Sequence, residues 1–174
     1  NLRRVTTGAV LIAAASAFLF CTGFTKASDH GNHENGYLKS ATYYSDDWVI
    51  NFWNSESSHM DEELKQIRED GFNSIILVVP WREFQPSMAP EHYNDYAWEK
   101  FDRVMKAAKA QDLKVMLRVG YTWDYYSSEN VLARYEKLLY DSETKKAWLH
   151  YAKRLYEKAS AYDNFSGGFI TWED

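Results

Sequence analysis

The chain contains a single cysteine, Cys21, among 174 residues. No disulfide can form within it, and the folded part must rest on its core. Basic clusters are missing too. With 20 Lys and Arg against 25 Asp and Glu the net charge is -5. There is no basic stripe and no finger motif, which excludes nucleic acid as an expected partner. A glycine-rich phosphate fingerprint is also absent. The first strand-to-helix turn expected, Asn54 to His59, reads NSESSH, so a dinucleotide-binding fold loses support. His30 and His33 have no third ligand of suitable type, so no metal is expected, and no organic cofactor is implied.

What the chain has in quantity is aromatic surface: 17% of residues, with 7 Trp and 13 Tyr. Its long apolar run is confined to the N-terminal end. Arg3 and Arg4 precede an apolar stretch from Gly8 to Phe24, and small residues follow at Ala27-Ser28. That order is the pattern of a secretory signal. Residues 1–27 are therefore predicted to direct export, with cleavage after Ala27. The alternative is an uncleaved anchor, the one circumstance in which a membrane becomes a partner. Residues 28–46, polar and without period, read as a flexible linker.

From residue 47 onward strand and helix patterns alternate. Trp48 to Trp53 (WVINFW) has strand composition. Ser58 to Asp61 resembles a capping box, and Met60, Leu64 and Ile67 recur on one helical face before Gly71. Ser74 to Pro80 (SIILVVP) is apolar on both alternating faces, as in a covered parallel strand. A second helix carries Ala97, Phe101, Val104, Met105 and Ala108. Leu113 to Val119 is a third strand. A helical stretch around Val131 to Leu139 precedes a main helix with Trp148, Ala152, Leu155, Ala159 and Tyr162 in register, and GGFITW (Gly167 to Trp172) is the fourth strand. The order predicts a parallel sheet with right-handed crossovers. It fits a doubly wound sheet or half of an eight-stranded barrel, whose full length is about 250 residues.

In a barrel, chemistry sits where strands end. The four predicted ends are Trp53-Asn54-Ser55-Glu56, Trp81-Arg82-Glu83, Trp123-Asp124-Tyr125-Tyr126 and Trp172-Glu173-Asp174. Each carries a Trp and at least one acid. Flat aromatic faces beside carboxylates suit a sugar ring, with its apolar C–H faces and rim of hydroxyls.

Residues 81–119, WREFQPSMAPEHYNDYAWEKFDRVMKAAKAQDLKVMLRV, resemble the stretch after strand two in clan A glycoside hydrolases. The shared points are Trp81, Pro86, Tyr93, Phe101-Asp102 and Leu113 to Leu117. Residues 140–174 are similar to that clan's third helix and fourth strand, which there closes on Trp-Asn-Glu. The resemblance implies the N-terminal half, strands one to four, of a (β/α)8 barrel over residues 47–174. It also implies hydrolysis of O-glycosidic bonds in a poly- or oligosaccharide by a retaining two-carboxylate mechanism. Glu173 and Asp174 are the catalytic candidates: aligned without a gap, Asp174 takes the acid/base position, and matched by residue type, Glu173 does. Trp53, Asn54, Trp81, Arg82, Trp123, Asp124, Tyr125 and Trp172 are the candidate substrate contacts. Two departures stand out: Trp172 or Glu173 replaces the clan's Asn, and Ile76 takes the place of an Arg common in strand two. They keep a second function open, a non-catalytic carbohydrate-binding or polysaccharide-assembly protein on the same barrel. The clan's second carboxylate ends strand seven, so the chain is expected to be an inactive fragment of the enzyme.

N-terminal sequencing of exported material tests the export expectation. It should begin at Ser28, and a start at Asn1 or retention in the membrane fraction would favour the anchor.

Overall fold

The computed structural model of the protein describes residues 37–119 and 131–170, apart from the side chains of residues 131–135. The segment read as a secretory signal, residues 1–27, lies outside the described residues. In chain order the elements are β1 (Ser40–Thr42), a 3-10 turn (Asn51–Asn54), α1 (Met60–Glu69), β2 (Ser74–Val78), α2 (Trp81–Phe84), β3 (Ser87–Met88), β4 (Glu91–His92), α3 (Asp95–Ala110), β5 (Lys114–Val119), α4 (Val131–Tyr140), α5 (Ser142–Ala159) and β6 (Phe165–Ile170).

The sheet order is β1-β2-β5-β6, all parallel, while β3 and β4 pair separately as a small antiparallel hairpin. Each crossover leads to the next strand in the same direction. With right-handed connections this keeps the helices on one face of the sheet. A doubly wound sheet would reverse its strand order and carry helices on both faces. The topology is therefore that of half a barrel.

The strands show why. Ile75 and Leu77 on β2, Val79 just beyond its end, and Val115, Leu117 and Val119 on β5 are buried. They join one core with Leu64, Phe101, Met105, Tyr151 and Leu155 from the helices. The intervening residues Ile76, Met116 and Arg118 are only half-buried. They mark the inner face, where Ile76 pairs with Met116 and Val78 with Arg118 across the ladder. The helical face predicted for α3 is buried in full. Asn94 caps that helix by accepting from Ala97 N at 3.4 Å. Asp102, beside the buried Phe101, accepts from Lys158 Nζ at 2.7 Å and from Tyr162 OH at 2.6 Å, tying α3 to the end of α5 and to the turn beyond it.

Three expectations are corrected. The first strand is Ser40–Thr42, inside the stretch read as linker, so the folded domain begins before residue 47. Trp48 to Trp53 is a turn and a 3-10 helix: Phe52 and Trp53 plug the end of the sheet, and the stretch resembles strand composition only because both environments are apolar. The expected capping box does not form. His59 is the N-cap of α1, with no side-chain bond, and Asp61, Glu62 and Glu63 instead place negative charge at the helix's positive end. Gly71 ends α1 as expected, at φ 82°.

Strand β6 carries a bulge. Val115 pairs with Phe165 but Met116 with Gly167, leaving Ser166 extra, and Gly167 takes φ 115°. Gly168 meets a different demand. A Cβ there would lie 2.5 Å from Tyr156 OH and 2.9 Å from Leu117 O. Gly168→Ala should therefore cost about 1–3 kcal/mol by overpacking, measured by denaturant unfolding. Adding Tyr156→Phe should recover only part, because the Leu117 carbonyl stays. A single variant as stable as wild type would contradict this packing of α5 on β6.

Candidate functional site

Two segments form the described part of the face at the C-terminal strand ends: residues 43–59 after β1 and 79–94 after β2. Phe52 and Trp53 of the first and Trp81 and Phe84 of the second turn into the core. Trp53 is fully buried. Its indole N–H donates to Val78 O at 2.9 Å, and the ring lies between Phe84 and Phe101, at centroid distances of 4.6 and 6.3 Å. Trp81 is equally buried, donates to Gln85 Oε1 at 2.5 Å and stacks on Tyr151 at 6.5 Å. The Tyr151 hydroxyl reaches Val79 O at 2.6 Å. Trp53 and Trp81 were expected as substrate contacts; they are instead the roof of the core. Their faces are covered and their only donors are used within the protein, which leaves no surface for a sugar ring.

Above this roof lies a polar layer. Asn54 is exposed, donates to the Glu83 carboxylate and accepts from Asn94 Nδ2 at 2.8 Å. Asn94 Nδ2 also donates to Glu83 O at 3.0 Å. Burial pushes the Glu83 carboxyl above its ordinary range, against the Asn54 hydrogen bond and the Arg82 charge, which pull it down. Arg82 is exposed on α2. Asn54, Arg82, Glu83 and Asn94 thus gather at one rim, and amides, a guanidinium and a carboxylate can exchange hydrogen bonds with hydroxyl groups.

A second hub anchors the β3–β4 hairpin. Glu91 accepts from Tyr93 OH at 2.6 Å and from the buried Gln85 at 2.7 Å, and faces His150 Nδ1 at 3.2 Å. The Tyr93 bond, then His150 and Gln85, hold its carboxyl below the usual range. Burial, followed by the hydrogen bond to Glu91, pushes the Tyr93 phenol up to about 12. Arg154 lies over the rings of Tyr93 and Trp98, 4.2 and 4.9 Å from the centroids.

Of the other expected site residues, Trp123, Asp124, Tyr125, Trp172, Glu173 and Asp174 lie outside the described residues. Asn94 and Glu91 were not singled out from sequence. Asn94 opens a helix in a legible way, as Asn-Asp before an apolar period, but its partners are far away in the chain. Among the described residues no three His, Cys, Asp or Glu come together as metal ligands, and no helix is long and apolar enough to cross a membrane.

The described residues have the fold of the first half of a clan A glycoside hydrolase (β/α)8 barrel. The similar solved structures include GH5_18 from Bifidobacterium longum subsp. longum in complex with Manb1-4GlcNAc. That match has a TM-score of 0.60 and 18% identity, over 77% of this chain and 33% of that one. GH5_18 from Streptomyces cattleya, also in complex with Manb1-4GlcNAc, matches with a TM-score of 0.61 and 16% identity, over 76% and 33%. The chain therefore spans about a third of the length of these relatives. No protein-family model matches the sequence, and no curated protein matches it.

The environment of Glu83 makes a testable statement. Its folded-state value is raised, so the native state takes up the proton first as pH falls, and its ionised form is a burden at neutral pH. Glu83→Gln keeps an acceptor for Asn54 and removes the charge. It should be more stable than wild type at pH 7, with the difference shrinking as pH falls through the carboxylate range. Chemical denaturation of both proteins across that range measures it, and a gap that widens on acidification contradicts the assignment.

Proposed function

We propose that this chain supplies the first half of an exported (β/α)8 glycoside hydrolase, which cleaves O-glycosidic bonds of an oligo- or polysaccharide with retention. The observation that carries the proposal is the all-parallel strand order β1-β2-β5-β6 of a fold similar to that of glycoside hydrolase barrels; Trp172-Glu173-Asp174 follow β6 in the sequence. In such barrels reactive groups sit at the C-terminal strand ends. The disaccharide bound by both relatives supports a saccharide ligand here.

Glu173 is our choice for the acid/base. Phe169 pairs with Arg118 on the inner face of the sheet, and side chains alternate along a strand. Glu173 shares the sequence parity of Phe169, and its extra methylene gives the reach an acid/base needs. Retention needs a second carboxylate about 5–5.5 Å away as nucleophile. In this reading it comes from strand seven of the whole protein, not from Asp174. Ile76 stands where related barrels place an Arg, yet a guanidinium is present on the same inner face one strand over, at Arg118.

Non-catalytic saccharide binding is the second reading, favoured by the apolar pair Ile76 and Met116 on that inner face and by the missing Asn before Glu173. Kinetics of the whole protein separate the two. Glu173→Gln should lose roughly 10²- to 10⁴-fold in rate on substrates with poor leaving groups, and far less on an activated aryl glycoside. Asp174→Asn should lose less on both. The reverse ranking would make Asp174 the acid/base, and a wild type that binds saccharide without cleaving it would support the binding protein.

A further inference from the structure

Residues 43–59 are shaped by a buried cation. Lys100, midway along α3, is fully buried and sets its Nζ against the Phe52 carbonyl, the Ser55 carbonyl at 2.9 Å and Ser55 Oγ at 3.4 Å. The Phe52 ring lies 3.9 Å from it. These carbonyls are acceptors at the C-terminal end of the 3-10 turn, where the backbone has no internal donors left. Other bonds hold the same loop. Ser55 Oγ donates to Asp47, and Tyr96 OH donates to Ser55 O at 2.9 Å. Tyr43 OH and Ser45 Oγ each donate to Glu63 of α1, both at 2.7 Å. Burial draws the Lys100 ammonium down to about 8; Arg103 works in the same direction, while Asp47, Glu56 and Glu63 favour the charge.

Tyr43, Val49, Phe52 and Trp53 of this loop are buried, whereas Trp48 is 59% exposed. Its backbone is not loose: Phe52 N donates to Trp48 O at 3.0 Å, and Asp47 N to Tyr44 O at 3.3 Å. The Trp53–Val78 bond fixes the loop over the end of β2, so the exposed indole stands at the face where a barrel binds its substrate. An aromatic surface on a pinned backbone has little conformational entropy left to lose on binding. Its flat apolar face matches the C–H face of a pyranose.

We infer that residues 43–59 form a preorganised sugar-binding rim, in which Trp48 is the stacking surface for a pyranose ring and Lys100 the positioning residue that holds the loop. The inference rests on the glycoside hydrolase reading for its ligand, but not for the loop itself. Hydrogen exchange and steady-state kinetics on an oligosaccharide, in the whole protein, test it. Lys100→Met should speed exchange across residues 43–59, leave β2 and β5 protected, and raise KM by about fivefold or more with kcat nearly unchanged. Trp48→Ala should raise KM similarly without altering exchange. Unchanged exchange in Lys100→Met, a loosened loop with wild-type KM, or wild-type KM in Trp48→Ala overturns the inference. If Lys100→Met does not fold, Ser55→Ala, which keeps the ammonium and removes a pin, is judged by the same two readouts. If the wild type cleaves nothing, the dissociation constant of the same oligosaccharide replaces KM. Failure of the enzymatic reading then shows separately from failure of the rim.

Discussion

At the end of β2 two backbone carbonyls, those of Val78 and Val79, are closed off from water by the core. An unpaired buried acceptor costs about 1–3 kcal/mol. Both receive aromatic donors instead: the Trp53 indole from the loop after β1, and the Tyr151 hydroxyl from α5. Much of the upper face follows from these two bonds. They draw the β1 loop inward over β2, and they bring α5 across to stack Tyr151 under Trp81. Phe84 fits between, 4.6 Å from Trp53 and 6.2 Å from Tyr151. The result is an aromatic floor, fully buried, on which the polar residues of the site stand.

Two carboxylates on that floor show how environment divides one chemical group into two roles. Glu91 is surrounded by donors, Tyr93, Gln85 and His150, and is held ionised, as suits a structural anchor for the hairpin. Glu83 is partly buried with one amide donor and is pushed toward the neutral form. A carboxyl that gains little from ionising is better placed to exchange hydrogen bonds with neutral hydroxyls. Lys100 adds a third case, a buried ammonium held by carbonyls and an aromatic face rather than by a carboxylate in contact. Each of these groups joins elements that are remote in sequence, so the rim's geometry is a property of the packed half-barrel.

Much of the fold was legible from local pattern. The faces of α1, α3 and α5, the doubly covered β2 and the stop at Gly71 all follow from periodicity and glycine's freedom at positive φ. Strand β1 was not legible, because three residues are too few to show alternation, and because the aromatic loop that follows imitates a strand. The sheet order decided between two architectures that the βα alternation alone left open.

The site divides along the same line. Trp at the strand ends, acids beside it and Glu173 following an apolar strand pattern are facts of sequence, and they were enough to suggest a sugar. Whether a given Trp faces the ligand or the core was not contained in them. That depended on acceptors 25 residues away for Trp53, on a helix 72 residues beyond Val79 that brings Tyr151 beneath Trp81, and on a lysine 48 residues past Phe52. Local pattern reports how much of a segment is apolar. Only the tertiary structure decides which buried carbonyls lack donors, and therefore which side chains must turn inward to supply them.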